Sequence, residues 1–337
     1  MKKISSPMND FIKEPQIVTF VMTYKCTSTC ANCCFQCSPH KGPTLAKEQV
    51  QNFLTQICRD FPTIKSVVLT GGECSVLDYL TDLIRIASTR GLNVRIVSNC
   101  VWAKTYISAQ RKIWEWKKAG LTELNFSTGD EHLNFIPITN IKNAILASVE
   151  NGYKPFINIE SHNNSKFHSR YFFNDNDLSS LLKERKFTIV NGIWVDFKTP
   201  ENMFNNFSES IFPINQRCEN LFDSITISPN SRLKACCGII SCNTKYIDLG
   251  NLNLYGIRHL YKKQYSDFLK IWLYTEGPYK ILEFVSKYDK SIHIKDFAHL
   301  HKCLVCAIIL NNEHFLSIIK DHLEEVFSTI ILKYKLI

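Results

Sequence analysis

The sequence is poor in the residues that interrupt packed structure, and it has no segment long enough to cross a membrane. Glycine and proline number only 12 and 11 in 337 residues, which excludes a collagen-like or disordered chain. No apolar run approaches the roughly 18 residues of a membrane-spanning helix, and repeats and low-complexity segments are absent. Because 45% of the residues are apolar, the chain can bury a sizeable core, divided between one large domain and a smaller one.

The N-terminus lacks the features of an export signal. Lysines stand at positions 2 and 3, but no apolar segment follows them directly. The first apolar run, residues 17–22, is too short for a signal peptide or a membrane span. We therefore expect a cytoplasmic protein without membrane contact, in which thiols stay reduced.

The net charge says little about the binding partner. The formal net charge is +9, which allows an acidic peptide or a nucleic acid as partner without requiring one. No RNA-binding motif and no interleaved platform of aromatic and basic residues accompanies it. A nucleic-acid partner is therefore not expected.

Cysteine, in contrast, is plentiful, with 14 residues. In a reducing compartment this number indicates metal ligation or thiol chemistry rather than disulfides. Five cysteines lie between positions 26 and 37, and six lie between positions 218 and 306. Two groups so far apart in the chain predict two separate sites. The remaining cysteines are Cys58, Cys74 and Cys100.

Between the two groups, short β-rich runs alternate with helical patterns, which predicts βαβ units and a parallel sheet. Six strands are too few for a closed eight-stranded barrel, so we expect a partial (β/α)6 barrel. Gly91, Gly120 and Gly152 each follow a helical pattern, as a C-terminal glycine does. The predicted strands are 17–22, 66–70, 94–98, 123–127, 156–159 and 188–195, and the predicted helices are 45–59, 78–89, 107–119, 141–150 and 176–184.

The pattern changes after about residue 215. Residues 224–228 and 232–235 flank Pro229-Asn230-Ser231 and predict a β-hairpin. A helical pattern over residues 314–334 predicts a C-terminal helix packed on the body. We divide the chain into an N-terminal tail (1–15), a core domain (16–215), an auxiliary domain (216–310) and the C-terminal helix (311–337).

The first group of cysteines contains the spacing Cys26-x3-Cys30-x2-Cys33, here called the cysteine triplet. Three thiolates can hold three irons of a [4Fe–4S] cluster and leave the fourth iron open to a small molecule. A structural zinc site is the alternative, and it needs a fourth ligand, for which His40 or Cys37 is available.

Two further motifs accompany the triplet: L-T-G-G-E at residues 69–73, and Ser98-Asn99 at the end of the third predicted strand. Together they resemble the radical S-adenosylmethionine (radical SAM) superfamily, which has this triplet after the first strand of a partial (β/α)6 barrel. The resemblance implies a [4Fe–4S] cluster with bound SAM. It also implies that Gly71, Gly72 and Glu73 lie at the methionyl amino group of SAM, and Ser98 and Asn99 at its ribose.

Two details depart from the family pattern or leave a choice. Asn32 stands where the family usually has an aromatic residue. The triplet spacing also recurs as Cys30, Cys34 and Cys37. We favour the first register because it starts closest to the strand end, as in the family.

Four of the six cysteines of the second group, Cys218, Cys236, Cys303 and Cys306, are enough for a closed [4Fe–4S] or zinc site. The arrangement resembles the SPASM and twitch auxiliary-cluster domains of radical SAM peptide-modifying enzymes. The extra cysteines of a second auxiliary cluster are missing, so the resemblance implies one auxiliary [4Fe–4S] cluster. His301 is an alternative ligand to one of the cysteines. This auxiliary quartet is Cys218, Cys236, Cys303 and Cys306.

Cys237 and Cys242 lie near the quartet in sequence, and a small buried residue is the simplest interpretation of each. The segment 33–39, the pair Cys236-Cys237 and the Cys303-x2-Cys306 spacing nevertheless resemble radical SAM peptide epimerases of the YydG type. This resemblance implies conversion of L- to D-residues in a ribosomally synthesised precursor peptide, with Cys237 as hydrogen-atom donor. It also implies an electron donor such as flavodoxin or ferredoxin. Asp130 or His132, after the fourth predicted strand, is a candidate to orient SAM or substrate.

Three other functions stay open. A peptide maturase that forms a thioether or carbon–carbon crosslink uses the same cofactors but needs no donor thiol. A radical SAM enzyme that modifies RNA is a further alternative. A zinc-binding protein without enzymatic activity is the last.

Overall fold

In the computed structural model the described residues are 13–161, 165–193, 216–240 and 244–337. Within them, nine strands form one sheet with the order β6-β5-β4-β3-β2-β1-β7-β8-β9. Strands β1 to β6 are all parallel to their neighbours. They are β1 Ile17–Val21, β2 Ser66–Thr70, β3 Asn93–Ser98, β4 Glu123–Gly129, β5 Phe156–Ser161 and β6 Thr188–Ile193.

Helices follow each of the first five strands and cover one face of the sheet, so the predicted partial (β/α)6 barrel is confirmed. Gly120 ends α3 with a φ of +96°, in the left-handed region that glycine adopts without strain. The helices of this half are α1 Lys47–Asp60, α2 Leu80–Ser88, α3 Tyr106–Ala119, α4 Asp130–Leu133, α5 Ile138–Glu150, α6 Arg170–Asn174 and α7 Asn176–Lys183.

The two faces of the barrel sheet differ in polarity because side chains alternate along each strand. In β4, Leu124 and Phe126 are buried in the core that the helices share. Asn125 and Ser127 point to the opposite face and are half-buried. We call this opposite, concave side the inner face. In β4 this face carries polar side chains, which can form hydrogen bonds with a ligand.

The C-terminal part continues the same sheet. Strand β7 (Ser224–Ile227) pairs in parallel with β1 and forms the predicted hairpin with β8 (Arg232–Lys234). A further strand, β9 (Asp248–Asn251), pairs with β8. The sequence did not indicate β9, because its four residues include Gly250 and Asn251, which are rare in strands.

The ranges 216–240 and 244–337 contain six further helices, and the last two differ from the single C-terminal helix expected from the sequence. The helical pattern over residues 314–334 is divided by a turn at His322 and Leu323, and its apolar side chains, such as Ile319 and Tyr334, are buried against the body. Trp194 and Val195, predicted to end β6, lie outside the described residues. The helices are α8 Ile257–Lys262, α9 Phe268–Thr275, α10 Pro278–Val285, α11 Lys302–Asn311, α12 Glu313–Asp321 and α13 Glu324–Leu336.

None of the described helices is, by itself, long and apolar enough to span a membrane. Helices α11 and α12 reach that length and composition only as a pair, and they are bent by 82° at their junction.

Candidate active site

The cysteine triplet lies on the long loop between β1 and α1. Backbone hydrogen bonds fold this loop back on itself: Cys26 N–H donates to Ser38 O over 3.1 Å, and Ser38 N–H donates to Tyr24 O over 3.2 Å. The loop and the carboxyl ends of β2 to β5 surround a cavity of about 260 Å³, here called the main cavity. Its lining includes Cys26, Ser28, Cys30, Cys33, Cys34, Cys37, Thr70, Gly71, Gly72, Val97, Ser98, Asn99, Ser127, His132, Glu160 and Ile239.

The two glycines after β2 allow this strand end to pack directly on the cysteine loop. Gly72 N–H donates to Thr23 O over 2.7 Å. A Cβ atom on Gly72 would lie 2.0 Å from Lys25 O, and one on Gly71 would lie 2.6 Å from Thr23 O. Glycine is therefore required here by the approach of two protein backbones. Both glycines also line the main cavity.

Glu73 lies behind the cavity wall rather than in it. Its side chain is 1% exposed, and the carboxylate accepts hydrogen bonds from Ser98 Oγ at 2.8 Å, Asn99 N at 2.7 Å and Ser75 N at 3.1 Å. Burial raises the pKa of this carboxyl, although the hydrogen bonds that it accepts oppose the shift. Glu73 thus joins the ends of β2 and β3 and holds Ser98 and Asn99 at the cavity.

Asn99 reaches from the end of β3 to the cysteine loop. Its Nδ2 donates to Thr27 Oγ1 at 3.1 Å and to Cys26 Sγ at 3.7 Å. The sulfur of Cys26 therefore has a hydrogen-bond donor from a different strand. This contact brings together two motifs that are 73 residues apart in the sequence.

Of the two candidates after β4, His132 lines the cavity and Asp130 does not. Asp130 accepts from the backbone N–H groups of Lys166 and Phe167, each at 2.7 Å, and fixes the loop after β5. His132 Nδ1 is hydrogen-bonded to the carboxylate of Glu160. Burial lowers the pKa of His132, but the hydrogen bond and charge of Glu160 outweigh this and leave the pKa above its ordinary value.

Two glutamates that the sequence analysis did not single out take part in this site. Glu160, the partner of His132, lies one residue beyond the predicted end of β5, where polar residues of a barrel face its active-site end. Glu131, in α4, accepts from Ala31 N–H at 2.8 Å and so connects the cysteine loop to the segment after β4. The sequence signal that could have identified both glutamates is their position directly after a predicted strand.

The thiols that surround the main cavity are ligands of the kind that an iron–sulfur cluster uses. Burial raises the pKa of Cys26, and it raises that of Cys30 to about 12. A hydrogen bond from Cys37 lowers the pKa of Cys33 to about 6. Within the described ranges, no three His, Cys, Asp or Glu side chains are arranged as ligands of one ion. A cluster makes a different demand, because each thiolate binds a different iron, so the thiols must surround a cavity.

The other cysteines of the loop, Cys34 and Cys37, also line the main cavity, whereas His40 is exposed and is not part of its lining. The cysteines of both alternative triplets, Cys26-Cys30-Cys33 and Cys30-Cys34-Cys37, therefore line the same cavity. Cys37 differs from the others because it is buried, with 5% exposure, and its N–H donates to Cys33 Sγ at 3.5 Å.

The auxiliary quartet converges on a second, separate cavity, here called the auxiliary cavity. Cys303 and Cys306 lie on one face of α11, since residues three apart in a helix are neighbours. A Cβ atom on Gly238 would lie 3.5 Å from Cys303 Sγ and 3.7 Å from Cys236 Sγ, so these two sulfurs approach the same point. Burial raises the pKa of all four thiols.

The remaining walls of the auxiliary cavity are mostly apolar. They also include two lysines, Lys270 and Lys302, and the polar residues Asn220 and Tyr246. Lys270 is only 5% exposed and pairs with Asp267 at 2.7 Å. His301, the alternative ligand, does not line this cavity; its Nδ1 accepts from Cys303 N–H at 3.2 Å and caps α11.

A short segment joins the two cavities. Cys236 lines the auxiliary cavity and Ile239 lines the main cavity. Between them, Cys237 is exposed, and its sulfur accepts a hydrogen bond from Ser224 Oγ at 3.5 Å. In β7, Ile225 and Ile227 belong to the helix-side core, so Ser224 faces the inner side of the sheet. Cys242 lies outside the described residues.

No protein-family model matches this chain, and no curated protein matches it. Among solved structures, anSMEcpe with bound AdoMet superposes with a TM-score of 0.55 at 11% identity, covering 94% of this chain and 98% of that one. The complex of anSMEcpe with AdoMet and the Cp18Cys peptide gives 0.53 at 10% identity over the same shares, 94% and 98%. BtrN in complex with AdoMet and 2-DOIA gives 0.49 at 10% identity, covering 79% of this chain and 89% of that one.

These neighbours are radical SAM enzymes. At such low identity, the likeness to the two anSMEcpe structures shows the fold alone, and it is consistent with the partial barrel.

Proposed function

We propose that this chain is a radical SAM enzyme that converts L-residues to D-residues in a ribosomally synthesised peptide. One observation carries the proposal: the exposed thiol of Cys237 lies on the segment that joins the two thiol-lined cavities. A thiol at this position can return a hydrogen atom to a carbon radical. A crosslinking enzyme with the same cofactors has no need of it.

In this proposal the main cavity holds a [4Fe–4S] cluster on the cysteine triplet, with SAM beside it along Gly71, Gly72, Ser98 and Asn99. Glu73 supports this wall from behind. The auxiliary quartet holds one further [4Fe–4S] cluster, whose negative charge Lys302 partly balances. The domain limits proposed from the sequence, 16–215 and 216–310, assign one cluster to each domain.

When bound and reduced by one electron, the cluster and SAM supply a 5′-deoxyadenosyl radical, which the protein must position and shield from water. The peptide loses its Cα hydrogen atom to this radical and becomes planar at Cα. Cys237 then gives its thiol hydrogen atom to the opposite face, which leaves the D-residue.

The thiyl radical left on Cys237 must be reset by one electron and one proton. Cys236, the adjacent residue, belongs to the auxiliary quartet, so an electron reaching that site has a short path to Cys237. A low-potential donor such as flavodoxin or ferredoxin supplies it. Each turnover then consumes one SAM, two electrons and one proton, and the abstracted hydrogen leaves in 5′-deoxyadenosine.

A peptide substrate suits the polar side chains on the inner face of the barrel. Asn158 and Ser127 are half-buried there and can form hydrogen bonds with a peptide backbone. In the same fold, anSMEcpe holds the Cp18Cys peptide together with AdoMet. We therefore propose a precursor peptide, rather than RNA, as the substrate.

The test is to incubate the reconstituted enzyme in deuterated water with SAM, a reductant and the peptide encoded beside its gene. Epimerisation adds one mass unit at each altered residue and produces D-amino acids on hydrolysis. A product that has lost two hydrogens, lacks solvent deuterium and contains only L-residues would instead identify a crosslinking maturase.

A further inference from the structure

Ser224 is the first residue of β7 and lies on the inner face of the sheet. Strand β7 pairs in parallel with β1, and Ser224 stands opposite Ile17, the first residue of β1. Ser224 therefore marks the amino end of the sheet, whereas the main cavity lies at the carboxyl ends of β2 to β5. Because Ser224 is buried, with 3% exposure, a group that its hydroxyl contacts is held against the inner face.

The hydroxyl of Ser224 lies between a backbone carbonyl and a thiol. Its Oγ donates to Asn220 O at 2.9 Å and to Cys237 Sγ at 3.5 Å. A hydroxyl has one hydrogen and two lone pairs, and a thiol is both a weak donor and a weak acceptor. Both contacts can therefore exist at the same time, and Ser224 connects Cys237 to the segment before β7.

The segment before β7 is itself well fixed. Ser224 N–H donates to Asn220 O at 3.0 Å, in addition to the hydroxyl contact with the same oxygen. Phe222 is completely buried, and its carbonyl accepts a hydrogen bond from the hydroxyl of Tyr261 at 2.7 Å. Asn220 also lines the auxiliary cavity. The hydroxyl of Ser224 is thus a fixed anchor at the boundary of that cavity.

Cys237, in contrast, is exposed and lies on the segment after β8. An exposed side chain has several staggered rotamers available, and the contact with Ser224 favours one in which the sulfur lies at the inner face. Val97 and Ser127, on the same face of the sheet, line the main cavity, as does Ile239, two residues after Cys237. The contact therefore holds the thiol on the side of the sheet where the main cavity lies.

We propose that Ser224 is a positioning residue for the donor thiol: its hydroxyl holds Cys237 at the amino end of the inner face, so that the hydrogen atom reaches only one face of the peptide radical. This inference rests on the proposed function, in which Cys237 is the donor. The wall proposed to bind SAM, with Gly71 and Ser98, belongs to the carboxyl end of the same sheet. A peptide between the two ends loses a hydrogen atom on one face and regains one on the other.

The hydrogen transfer breaks the S–H bond and forms a Cα–H bond, which leaves a thiyl radical on Cys237. One electron from the low-potential donor and one proton from water restore the thiol. Inversion at Cα requires that the thiol stay on its own side of the peptide during this transfer. Without the hydroxyl of Ser224, the thiol can also approach the face from which the hydrogen atom was taken, and the L-residue is then formed again.

The experiment compares Ser224→Ala with the wild type and with Thr226→Val. Thr226 lies on the same face of β7 and is 2% exposed, and its hydroxyl has no hydrogen-bond partner within the described ranges. Thr226→Val is therefore a matched loss of a buried hydroxyl that does not contact Cys237. Ser224→Thr and Ser224→Val form an isosteric pair that differs only in the hydroxyl, and this pair decides the question if Ser224→Ala loses iron.

The reconstituted enzymes are incubated in deuterated water with SAM, a reductant and the peptide encoded beside the gene. Iron, 5′-deoxyadenosine, D-residues and the deuterium in L- and D-residues are measured. In Ser224→Ala and Ser224→Val, the D-residues formed per 5′-deoxyadenosine should fall about fivefold, the factor expected for loss of one ordinary hydrogen bond. Deuterium should also appear in L-residues, whereas a variant that is merely less stable would make less of both products at an unchanged ratio.

Thr226→Val and Ser224→Thr should keep the wild-type ratio and have no deuterium in L-residues. A wild-type ratio in the variants that lack the Ser224 hydroxyl would overturn the inference and leave the proposed function intact. An equal fall in Thr226→Val would also overturn it. Cys237→Ser tests the proposed function separately, with Cys58→Ser, on helix α1 outside both cavities, as its control.

Discussion

Gly72 and Lys25 approach so closely that no side chain fits between them: a Cβ atom on Gly72 would lie 2.0 Å from the Lys25 carbonyl oxygen. The oxygen belongs to the Lys25 backbone, and the position of a Cβ is fixed by the Gly72 backbone, so neither can move away as a flexible side chain would. The G-G pair after β2 and the cysteine loop after β1 therefore form a single packed unit. A substitution in the G-G pair is therefore expected to displace the cysteine loop, and the reverse.

The first prediction concerns this contact. Gly72→Ala should displace the loop segment next to Cys26 and lower the free energy of unfolding by about 1–3 kcal/mol, the usual cost of overpacking. It should also reduce iron incorporation at the triplet. Gly256→Ala is the matched control, since no atom lies within 4 Å of the Cβ it would add. Equal stability and iron content in the two variants would contradict the packing argument.

The second prediction concerns the buried carboxylate of Glu73. Glu73→Gln replaces one acceptor oxygen by an NH2 group, which then faces donors from Ser98, Asn99 or Ser75. The free energy of unfolding should fall by about 1–3 kcal/mol, the cost of an unsatisfied buried polar group. SAM should also bind more weakly, because Ser98 and Asn99 lose the hydrogen bonds that position them. Chemical denaturation and SAM titration measure the two effects. Glu184→Gln, on an exposed residue, should change neither.

The third prediction tests the cysteine triplet. Simultaneous replacement of Cys26, Cys30 and Cys33 by alanine should abolish SAM cleavage and leave about four irons, those of the auxiliary site. Iron analysis and chromatography of 5′-deoxyadenosine follow the two outcomes. Undiminished SAM cleavage would point to the register of Cys30, Cys34 and Cys37 or defeat the assignment altogether.

The fourth prediction concerns the auxiliary quartet. Cys303→Ala should lose the iron of the auxiliary site and destabilise the C-terminal third, because a metal site that closes a long loop contributes to folding. Limited proteolysis of the reconstituted variant should therefore cut the region after residue 216 sooner than in wild type. Cys58→Ala should show neither effect. Unchanged iron content in Cys303→Ala would mean that these cysteines are not the ligands.

The sequence was informative where the signal is local. Alternating apolar patterns located the six barrel strands and the hairpin, and cysteine spacing identified two groups that the structure indeed gathers in two cavities. Contacts between distant segments could not be predicted, because the spacing of residues along the sequence carries no information about them. The pairing of His132 with Glu160, the place of Glu73 behind the wall and the position of Ile239 in the main cavity are of this kind.

The same limit explains one local miss. The break at His322 and Leu323 is invisible in an apolar pattern that continues on both sides, and it arises from packing of α12 and α13 on the body. The glycines of G-G-E suggested contact with a ligand, which stays a prediction, and the structure adds that their lack of side chains is required by the cysteine loop.

The central claim is that Cys237 returns the hydrogen atom, and Cys237→Ser tests it most directly. Serine keeps the size of the side chain, but its O–H bond is too strong to quench a carbon radical. Both clusters should remain and 5′-deoxyadenosine should still form with the precursor peptide, whereas D-residues should nearly vanish. Cys58→Ser should behave as wild type. A Cys237→Ser enzyme that makes D-residues at the wild-type rate would contradict the account.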